Sequence, residues 1–374
     1  MIYLDYNATT PIDKEVAEAM LPFVYENYGN PSSSHKLGLD AKKAVEQARA
    51  RVAELLNCTP NEIVFTSGGS ESNNTVIKGV AYTYRNKGDH IITTQIEHPA
   101  ILNPCKYLER LGYEISYLPV NENGMVNVSD LEKLITNRTI LVTVMHANNE
   151  TGTIQPIEDI SKACRKHNIL FHTDAAQSVG KIPTDVNKLG VDFLTIAGHK
   201  LYAPKGIGAL YIRRGIAIEP LIHGASHETG RRAGTENVIF NVALGKACEI
   251  AKESLHSSKI KQLAEYFYDN LKVIFGDEII LNGNLHKRLP NTLNISFLGY
   301  HGSELLSKIG EDVAASTGSA CHAGSISISL VLKAMGIPYE TAQGAVRFSL
   351  GRYTTKEELD TVLERFKQIH NKLN

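Results

Sequence analysis

The chain has 374 residues, of which 43% are hydrophobic and 21% charged, and its formal net charge is −1. This length and composition are typical of a globular protein with two or three domains. A nearly neutral chain has no overall electrostatic attraction for nucleic acid or for an anionic membrane surface. We therefore expect small molecules and proteins as partners, with no nucleic acid and no membrane.

The N-terminus and the cysteines indicate the compartment. The first residues, MIYLDYNATTP, lack the basic and apolar regions of a signal peptide, and no apolar run reaches the roughly 18 residues of a membrane span. The five cysteines, at positions 58, 105, 164, 248 and 321, are odd in number and lack CxxC spacing, which argues against a disulfide framework and a zinc cluster. We predict a cytoplasmic protein with reduced thiols and no metal site.

Short β-branched runs alternate with helical patterns from about residue 40 to residue 250. The candidate strands are nearly continuous in apolar character: EIVF (62–65), HIITT (90–94), TILVTVM (139–145), ILFHTD (169–174), VDFLTI (191–196) and GIGALYIR (206–213). Such runs are typical of strands buried on both faces of a parallel sheet. The pattern predicts an α/β fold, with a large domain over residues 16–250 built on a mostly parallel seven-stranded sheet.

A different pattern follows a long helical stretch over roughly residues 236–274. It contains TLNISF (292–297), a helix from Gly302, AVRFSLG (345–351) and a last amphipathic helix, KEELDTVLERFKQIH. We predict a smaller C-terminal α/β domain over residues 251–374, with residues 1–15 as an N-terminal segment that packs against it.

Polar residues follow the predicted strands, at the edge where ligands bind in open α/β sheets. They are the glycine turn with Gly69 and Ser70, then His98, Asn149, Asp174 with Gln177, and His199 with Lys200. Taken one at a time, each has a structural explanation as a turn, a helix cap or a solvated side chain. Taken together, they would meet at one edge of the sheet.

That combination suits pyridoxal phosphate. Its aldehyde needs a lysine amine, its pyridine nitrogen needs a carboxylate to stay protonated, and its phosphate favours a helix N-terminus. An amino-acid substrate would also need an arginine for its carboxylate, and Arg347 is the candidate. The structural alternative for Arg347 is a salt bridge between the domains.

Ten motifs stand in one order along the chain: YLDYNATTP, GNPSSSH, VFTSGGSESNN, EHPAI, HANNETG, HTDAAQSVGK, GHKLYAPKGIGALYIRR, RRAGTEN, STGSACHAG and VRFSLGRYTT. From residue 2 to about residue 360 the chain thereby resembles the cysteine desulfurases of the class V aminotransferase branch, the NifS and IscS type. The resemblance implies a homodimeric fold type I pyridoxal-phosphate-dependent transferase that converts L-cysteine to L-alanine. It also implies that sulfur passes to Cys321 as a persulfide, for delivery to an acceptor protein in iron-sulfur cluster assembly or thiolation.

The resemblance assigns roles to single residues. Lys200 would hold the cofactor, Asp174 would pair with its pyridine nitrogen, and His98 would stack on the ring and shuttle protons. The remaining assignments are phosphate contacts for Ser70, His199 and the partner subunit's Thr235, further cofactor contacts for Gly69, Asn149 and Gln177, and substrate binding for Asn149 and Arg347.

Cys321 lies in STGSACHAG, where no large side chain could pin it in a core. Small residues give a backbone many accessible conformations. We therefore predict that Cys321 is a nucleophile on a mobile loop, which carries its persulfide from the cofactor to the surface. The alternative is a buried structural thiol.

Three other functions stay open. His322 beside the cysteine, and RRAGTEN, also resemble selenocysteine lyases, which release selenium and L-alanine from L-selenocysteine. A catalytically inactive protein of this fold could serve as a binding partner. A metal-binding protein would use His223, His227, Cys321 and His322, whose spacing fits no standard site. The sequence after Tyr353 holds one amphipathic helix, so we do not expect the longer tail with which related enzymes bind an iron-sulfur scaffold.

Overall fold

The computed structural model describes residues 1–317 and 328–373, so Cys321 and His322 lie outside the described residues. The strands in chain order are β1 (Ile2–Tyr3), β2 (Ile63–Thr66), β3 (His90–Thr94), β4 (Glu114–Leu118), β5 (Thr139–Thr143), β6 (Leu170–Asp174), β7 (Phe193–Ala197), β8 (Gly208–Ile212), β9 (Ile279–Leu281), β10 (Thr292–Phe297), β11 (Val313–Ala314) and β12 (Ala345–Ser349).

The helices in chain order are α1 (Lys14–Tyr25), α2 (Lys36–Leu56), α3 (Gly69–Thr83), α4 (Pro99–Arg110), α5 (Val128–Leu134), α6 (Ile157–Lys166), α7 (Val186–Leu189), α8 (Val238–Ser254), α9 (Lys259–Phe275), α10 (Gly302–Ile309), α11 (Leu330–Ala334), α12 (Tyr339–Ala342) and α13 (Lys356–Leu373). The long helical stretch predicted before the second domain is thus two helices, α8 and α9. The segment LHSS, at residues 255–258, separates them.

The large sheet has seven strands in the order β2, β8, β7, β6, β5, β3, β4. Adjacent strands in this sheet pair in parallel, except that β8 is antiparallel to both β2 and β7. This confirms the predicted mostly parallel, seven-stranded sheet. The seventh strand, β4, was not among the predicted runs, because it is an edge strand whose sequence EISYL has only one buried residue.

Helices cover both faces of this sheet. On one face, α2, α6 and α8 bury an apolar core against the strands, and α2 contributes Val45, Ala48, Val52 and Leu55 to it. On the other face, α3 and α4 pack against the strands. Burial of both faces explains why the inner strands read as unbroken apolar runs.

A second sheet follows, in which β10 lies between β9 and β12 and pairs antiparallel with both. Its core is rich in aromatic rings, and Phe297 stacks on Phe366 with ring centroids 5.3 Å apart. The N-terminal segment joins this core: β1 pairs in parallel with β11, and Leu4 is fully buried in it. The predicted boundary at residues 250 and 251 falls within α8, and the domain limits stay predictions.

Within the two described ranges, none of the helices combines the length and the apolar character needed to cross a bilayer.

Candidate active site

A cavity of about 460 Å³ lies beyond the carboxyl ends of β2, β3, β5, β6 and β7. This is the edge at which open α/β sheets bind ligands, and the volume is within the usual range for a small-molecule site. The structure brings eight of the predicted residues to the cavity wall: Gly69, Ser70, His98, Asn149, Asp174, Gln177, His199 and Lys200. Arg347, from β12 of the second sheet, closes it.

The turn between β2 and α3 is shaped by two glycines. Gly68 has a φ of 147°, which side chains rarely allow, and Gly208 approaches it so closely that an added Cβ would lie 2.7 Å from the Gly68 Cα. Helix α3 then begins at Gly69. The backbone N–H groups of Gly69 and Ser70, in its first turn, have no hydrogen-bond partner among the described residues. Free N–H groups at the positive end of a helix suit a phosphate group.

Asp174 ends β6 and is buried beneath the cavity. One carboxylate oxygen accepts a hydrogen bond from Asn73 Nδ2 at 2.7 Å, and the other accepts from the backbone N–H of Ala176 at 2.9 Å. Two donors hold the carboxylate in place beneath the cavity. Asn73 was not predicted, although it lies in the SESNN stretch whose first turn was recognised.

Lys200 follows β7 in a short turn, and its amine donates to the backbone oxygens of Asn7 and of Ala8, the latter at 2.7 Å. Burial lowers the pKa of Lys200 to about 8, and the positive charge of Arg347 adds to the shift. A substantial fraction of the amine is therefore neutral near physiological pH, as a nucleophilic lysine requires.

The two histidines of the site differ in their surroundings. His98 caps α4, because its Nδ1 accepts from the backbone N–H of Ala100 at 3.1 Å, so the neutral ring carries its proton on Nε2. His199 Nδ1 lies 3.2 Å from the hydroxyl of Thr9. Burial, together with the charge of Lys200, lowers the pKa of His199 to about 4, which keeps that ring neutral.

Arg347 is buried at the wall opposite the sheet. Its Nη2 donates to Asp5 Oδ1 at 2.7 Å and its Nη1 donates to the backbone oxygen of Asn149 at 3.0 Å. Its Nε is buried without a hydrogen-bond partner in the described part of the chain. An orphaned donor on a buried guanidinium is the group that an incoming carboxylate would satisfy.

Asn7 connects the parts of the site and was missed by sequence reasoning. Its backbone oxygen accepts from Lys200 and from Gln177 Nε2, and its side-chain amide donates to the backbone oxygen of Asn149 and to the hydroxyl of Thr292. The motif YLDYNATTP follows none of the predicted strands, so its pattern does not place it at the cavity.

The cavity lining leaves two assignments untested. Thr235 is exposed and does not line it, and its assignment to a partner's site stays a prediction. Cys321 lies outside the described residues. Across residues 1–317 and 328–373, no cluster of three or more histidine, cysteine or acidic side chains could hold a metal ion.

These observations fit pyridoxal phosphate. Unpaired N–H groups at the start of α3 suit its phosphate, the Asp174 carboxylate suits its pyridine nitrogen, and the Lys200 amine suits its aldehyde. The unpartnered Arg347 Nε suits the carboxylate of an amino-acid substrate.

Comparison with known sequences gives a consistent result. The model of the family described as aminotransferase class-V matches residues 2–362. A Dictyoglomus turgidum protein named cysteine desulfurase IscS is 50% identical, over 100% of this chain and 95% of that protein. A Methanosarcina thermophila protein of the same name is 47% identical, over 100% of this chain and 92% of that protein.

Solved structures are similar over nearly the whole chain. A NifS-like protein superposes with a TM-score of 0.92 at 42% identity, covering 99% of both chains. A structure described as SspA in complex with cysteine gives a TM-score of 0.85 at 38% identity, covering 95% of this chain and 100% of that chain.

Proposed function

The chain belongs to the class-V aminotransferase family, among relatives that are cysteine desulfurases, and from this we propose that it is a pyridoxal-phosphate-dependent cysteine desulfurase. It converts L-cysteine to L-alanine and takes up the sulfur on Cys321. The observation that carries the proposal is that the Lys200 amine and the buried Arg347, with its unpartnered Nε, line one cavity. The first suits the cofactor and the second suits the substrate carboxylate.

Each residue has a part in this chemistry. Pyridoxal phosphate, when bound, supplies an electron sink next to the substrate Cα. Lys200 holds the cofactor and then takes and returns a proton at Nζ, since its lowered pKa makes both transfers accessible. Arg347 binds the substrate carboxylate and so fixes its orientation. Asp174 would pair with the pyridine nitrogen and favour a positive charge there, and His98 Nε2–H is available as a donor at the cavity wall.

Cys321 takes the sulfur in the proposed reaction. Its thiolate attacks the sulfur of the substrate, the substrate C–S bond breaks, and an S–S bond forms. The electron pair of the broken bond stays on carbon, which a proton then converts to L-alanine. The protein is left with a persulfide on Cys321, which is passed to an acceptor thiol.

The names of the relatives favour desulfuration over selenocysteine lyase activity. The test measures alanine release from L-cysteine and from L-selenocysteine by wild type, Cys321→Ala and a matched Cys58→Ala control. We expect catalytic alanine release from L-cysteine by wild type and Cys58→Ala, and almost none by Cys321→Ala. Turnover confined to L-selenocysteine, with L-cysteine acting only as an inhibitor, would reverse the assignment.

Three wider features belong to the same proposal. We propose a homodimer in which the partner subunit's Thr235 contacts the cofactor phosphate. We also propose a cytoplasmic location, in keeping with scattered, reduced cysteines. A sulfur-acceptor protein, in iron-sulfur cluster assembly or thiolation, would receive the persulfide. Labelling with sulfur-35 L-cysteine, followed by identification of the labelled protein, tests the last of these.

A further inference from the structure

Lys181 lies behind the candidate active site and has no part in the function proposed above. It comes four residues after Gln177, just beyond the turn that follows β6. Its amine donates to Asn7 Oδ1 at 3.1 Å and to Gln177 Oε1 at 3.1 Å. Lys181 therefore contacts two side chains that line the cavity, although it does not line that cavity itself.

The hydrogen bonds of Lys181 determine which way both amides face. The Lys181 amine donates to both amides, so each amide turns its oxygen toward Lys181 and its NH₂ group away from it. If the Gln177 amide were reversed, its NH₂ would face the Lys181 amine and its oxygen would face the backbone oxygen of Asn7. In the observed orientation Gln177 Nε2 donates to that oxygen at 3.0 Å instead.

Asn7 shows the same arrangement. Its Oδ1 accepts from Lys181 and from Asn291 Nδ2, while its Nδ2 donates to the backbone oxygen of Asn149 and to the hydroxyl of Thr292. The backbone oxygen of Asn7 then accepts from the Lys200 amine. Lys181 and Lys200 thus both contact Asn7, Lys181 at the side-chain oxygen and Lys200 at the backbone oxygen.

The electrostatic setting of Lys181 supports a specific role. Among the described residues no carboxylate forms an ion pair with it, and both of its acceptors are neutral amides. Burial lowers the pKa of Lys181 to about 7, with the charges of Lys200 and Arg347 adding to the shift. Lys181 is partly buried, and removing a lysine amine from water without a counter-ion is costly; its two N–H bonds to the site partly offset that cost.

We infer that Lys181 is a positioning residue, which sets the orientation of the Gln177 and Asn7 amides and thereby presents Gln177 Nε2–H to the cofactor and to the Asn7 backbone oxygen that Lys200 also contacts. The inference rests on the proposed function for its catalytic consequence. Its structural basis is the hydrogen-bond network alone.

The test compares Lys181→Met, which keeps the length of the side chain and removes the donor, with Lys188→Met, an exposed control. We expect Lys181→Met to lower kcat for alanine release at least about tenfold with KM for L-cysteine little changed, since misplacing a group at a reacting centre has effects of that size. We also expect the affinity of cofactor-free protein for pyridoxal phosphate, measured by equilibrium dialysis, to fall by a similar factor. The thermal midpoint of the cofactor-free protein should stay close to that of Lys188→Met.

A double-mutant cycle identifies the residue through which Lys181 acts. If Lys181 works through Gln177, the losses of kcat and of cofactor affinity in Lys181→Met and Gln177→Met should not multiply. The double variant should then be no more impaired than the more impaired of the two single variants. Losses that multiply would overturn the inference, as would wild-type kcat and cofactor affinity in Lys181→Met. A large fall in the thermal midpoint that accounts for the whole loss would also overturn it.

Gln177→Glu serves if Lys181→Met does not fold. It keeps an oxygen for Lys181 and removes the N–H donor, so we expect a comparable loss of cofactor affinity. Wild-type affinity in Gln177→Glu would refute the inference. Absence of alanine release by the wild-type protein would instead refute the proposed function, and the affinity measurements would still decide the role of Lys181.

Discussion

Arg347 Nη2 donates to Asp5 Oδ1 at 2.7 Å, and this ion pair joins strand β12 to the N-terminal segment at the wall of the cavity. The Arg347 side chain is only 8% exposed. The bond fixes one edge of the guanidinium, and Asn149 holds the same group through its backbone oxygen. The Arg347 guanidinium is therefore oriented before any substrate arrives, which reduces the entropic cost of ordering it when substrate binds.

Asp5→Asn should weaken substrate binding. The variant replaces the carboxylate acceptor with a neutral amide oxygen, which weakens the hydrogen bond. The Arg347 guanidinium is therefore held less firmly and retains more conformational freedom. We expect KM for L-cysteine to rise about tenfold, with a smaller change in kcat. Steady-state alanine release measures both. Asp159→Asn, at an exposed pair with Lys162, is the control, and an unchanged KM in Asp5→Asn would contradict the positioning role.

The pKa of Lys200 predicts how the cofactor enters the protein. Burial and the charge of Arg347 disfavour the protonated amine, so the pKa falls to about 8 from an ordinary value of 10.5. Only the neutral amine reacts with an aldehyde. The rate of incorporation into cofactor-free protein should therefore rise about fivefold from pH 7 to pH 8 and less than about twofold from pH 8 to pH 9.

Stopped-flow absorbance at visible wavelengths measures that rate. In Arg347→Met the pH at which the incorporation rate levels off should be higher, because one of the charges that lowers the pKa of Lys200 is gone. Lys205→Met, an exposed residue on the same loop, should leave the profile unchanged. A rate that keeps rising tenfold per pH unit up to pH 10 would show an unperturbed lysine and refute the prediction.

The sequence predicted much of this site because most of it follows parallel strands. Lys200, Asp174 and His98 come directly after apolar runs, and the edge of a parallel sheet brings such positions together. Asp5 and Asn7 were missed because they reach the cavity through contacts with residues hundreds of positions away. No periodicity or local motif encodes such contacts.

Lys181 shows a second limit. It is the last residue of the motif HTDAAQSVGK, and a lysine after a glycine is typical of an exposed turn. Its partial burial follows from the packing of the N-terminal segment over the turn after β6, as its bond to Asn7 shows. Strand β4 was missed for a related reason, since an edge strand does not need an unbroken apolar run.

Alkylation should single out Cys321 among the five cysteines. Cys105, Cys164 and Cys248 are buried, and Cys58 is partly buried. Burial raises the pKa of Cys58, of Cys105 and of Cys164 to about 12, and it also raises the pKa of Cys248. These four thiols are almost entirely protonated at neutral pH, and the thiolate is the reactive form.

We expect iodoacetamide at pH 7.5 to modify Cys321 first, and alanine release to fall in step with that modification. Peptide mass spectrometry at increasing times measures the order of labelling. In Cys321→Ala the remaining cysteines should react at least about ten times more slowly. If Cys58 were labelled ahead of Cys321 and Cys58→Ala lost activity, the assignment of the sulfur-carrying role to Cys321 would be wrong.

The buried ion pair between Arg49 and Glu228 should be important for stability. Arg49 Nη1 donates to Glu228 Oε2 at 2.6 Å and Nη2 donates to Oε1 at 3.0 Å, with both side chains at most 9% exposed. Glu228 also accepts from the backbone N–H of Phe65 in β2. Arg49→Met leaves this carboxylate buried without its cation, and we expect a loss of about 3 to 5 kcal/mol in the free energy of unfolding.

Urea unfolding, at equal cofactor loading, measures the loss. Lys162→Met is the matched control, because its pair with Asp159 is exposed and its removal should cause no measurable change. Equal midpoints in Arg49→Met and Lys162→Met would contradict the stabilising role of the buried pair.

The proposed role of Thr235 predicts complementation between two defective subunits. Thr235 is exposed and does not line the cavity of its own chain, whereas Lys200 does. If each site combines Lys200 of one subunit with the partner subunit's Thr235, then Lys200→Ala and Thr235→Ala damage different halves of one site. A mixed dimer of the two variants has one site that lacks both residues and one site that is intact.

Co-expression of the two variants with different affinity tags allows the mixed dimer to be isolated. We expect it to bind about one pyridoxal phosphate per dimer with wild-type affinity and to release alanine at about half the wild-type rate. The Lys200→Ala homodimer should be inactive, and the Thr235→Ala homodimer should bind the cofactor about tenfold more weakly, as the loss of one hydrogen bond to a charged group implies. If Thr235 served its own chain, the Lys200-containing subunit of the mixed dimer would keep the weakened affinity of the Thr235→Ala homodimer. The cofactor affinity of the mixed dimer therefore decides whether the site is shared between subunits.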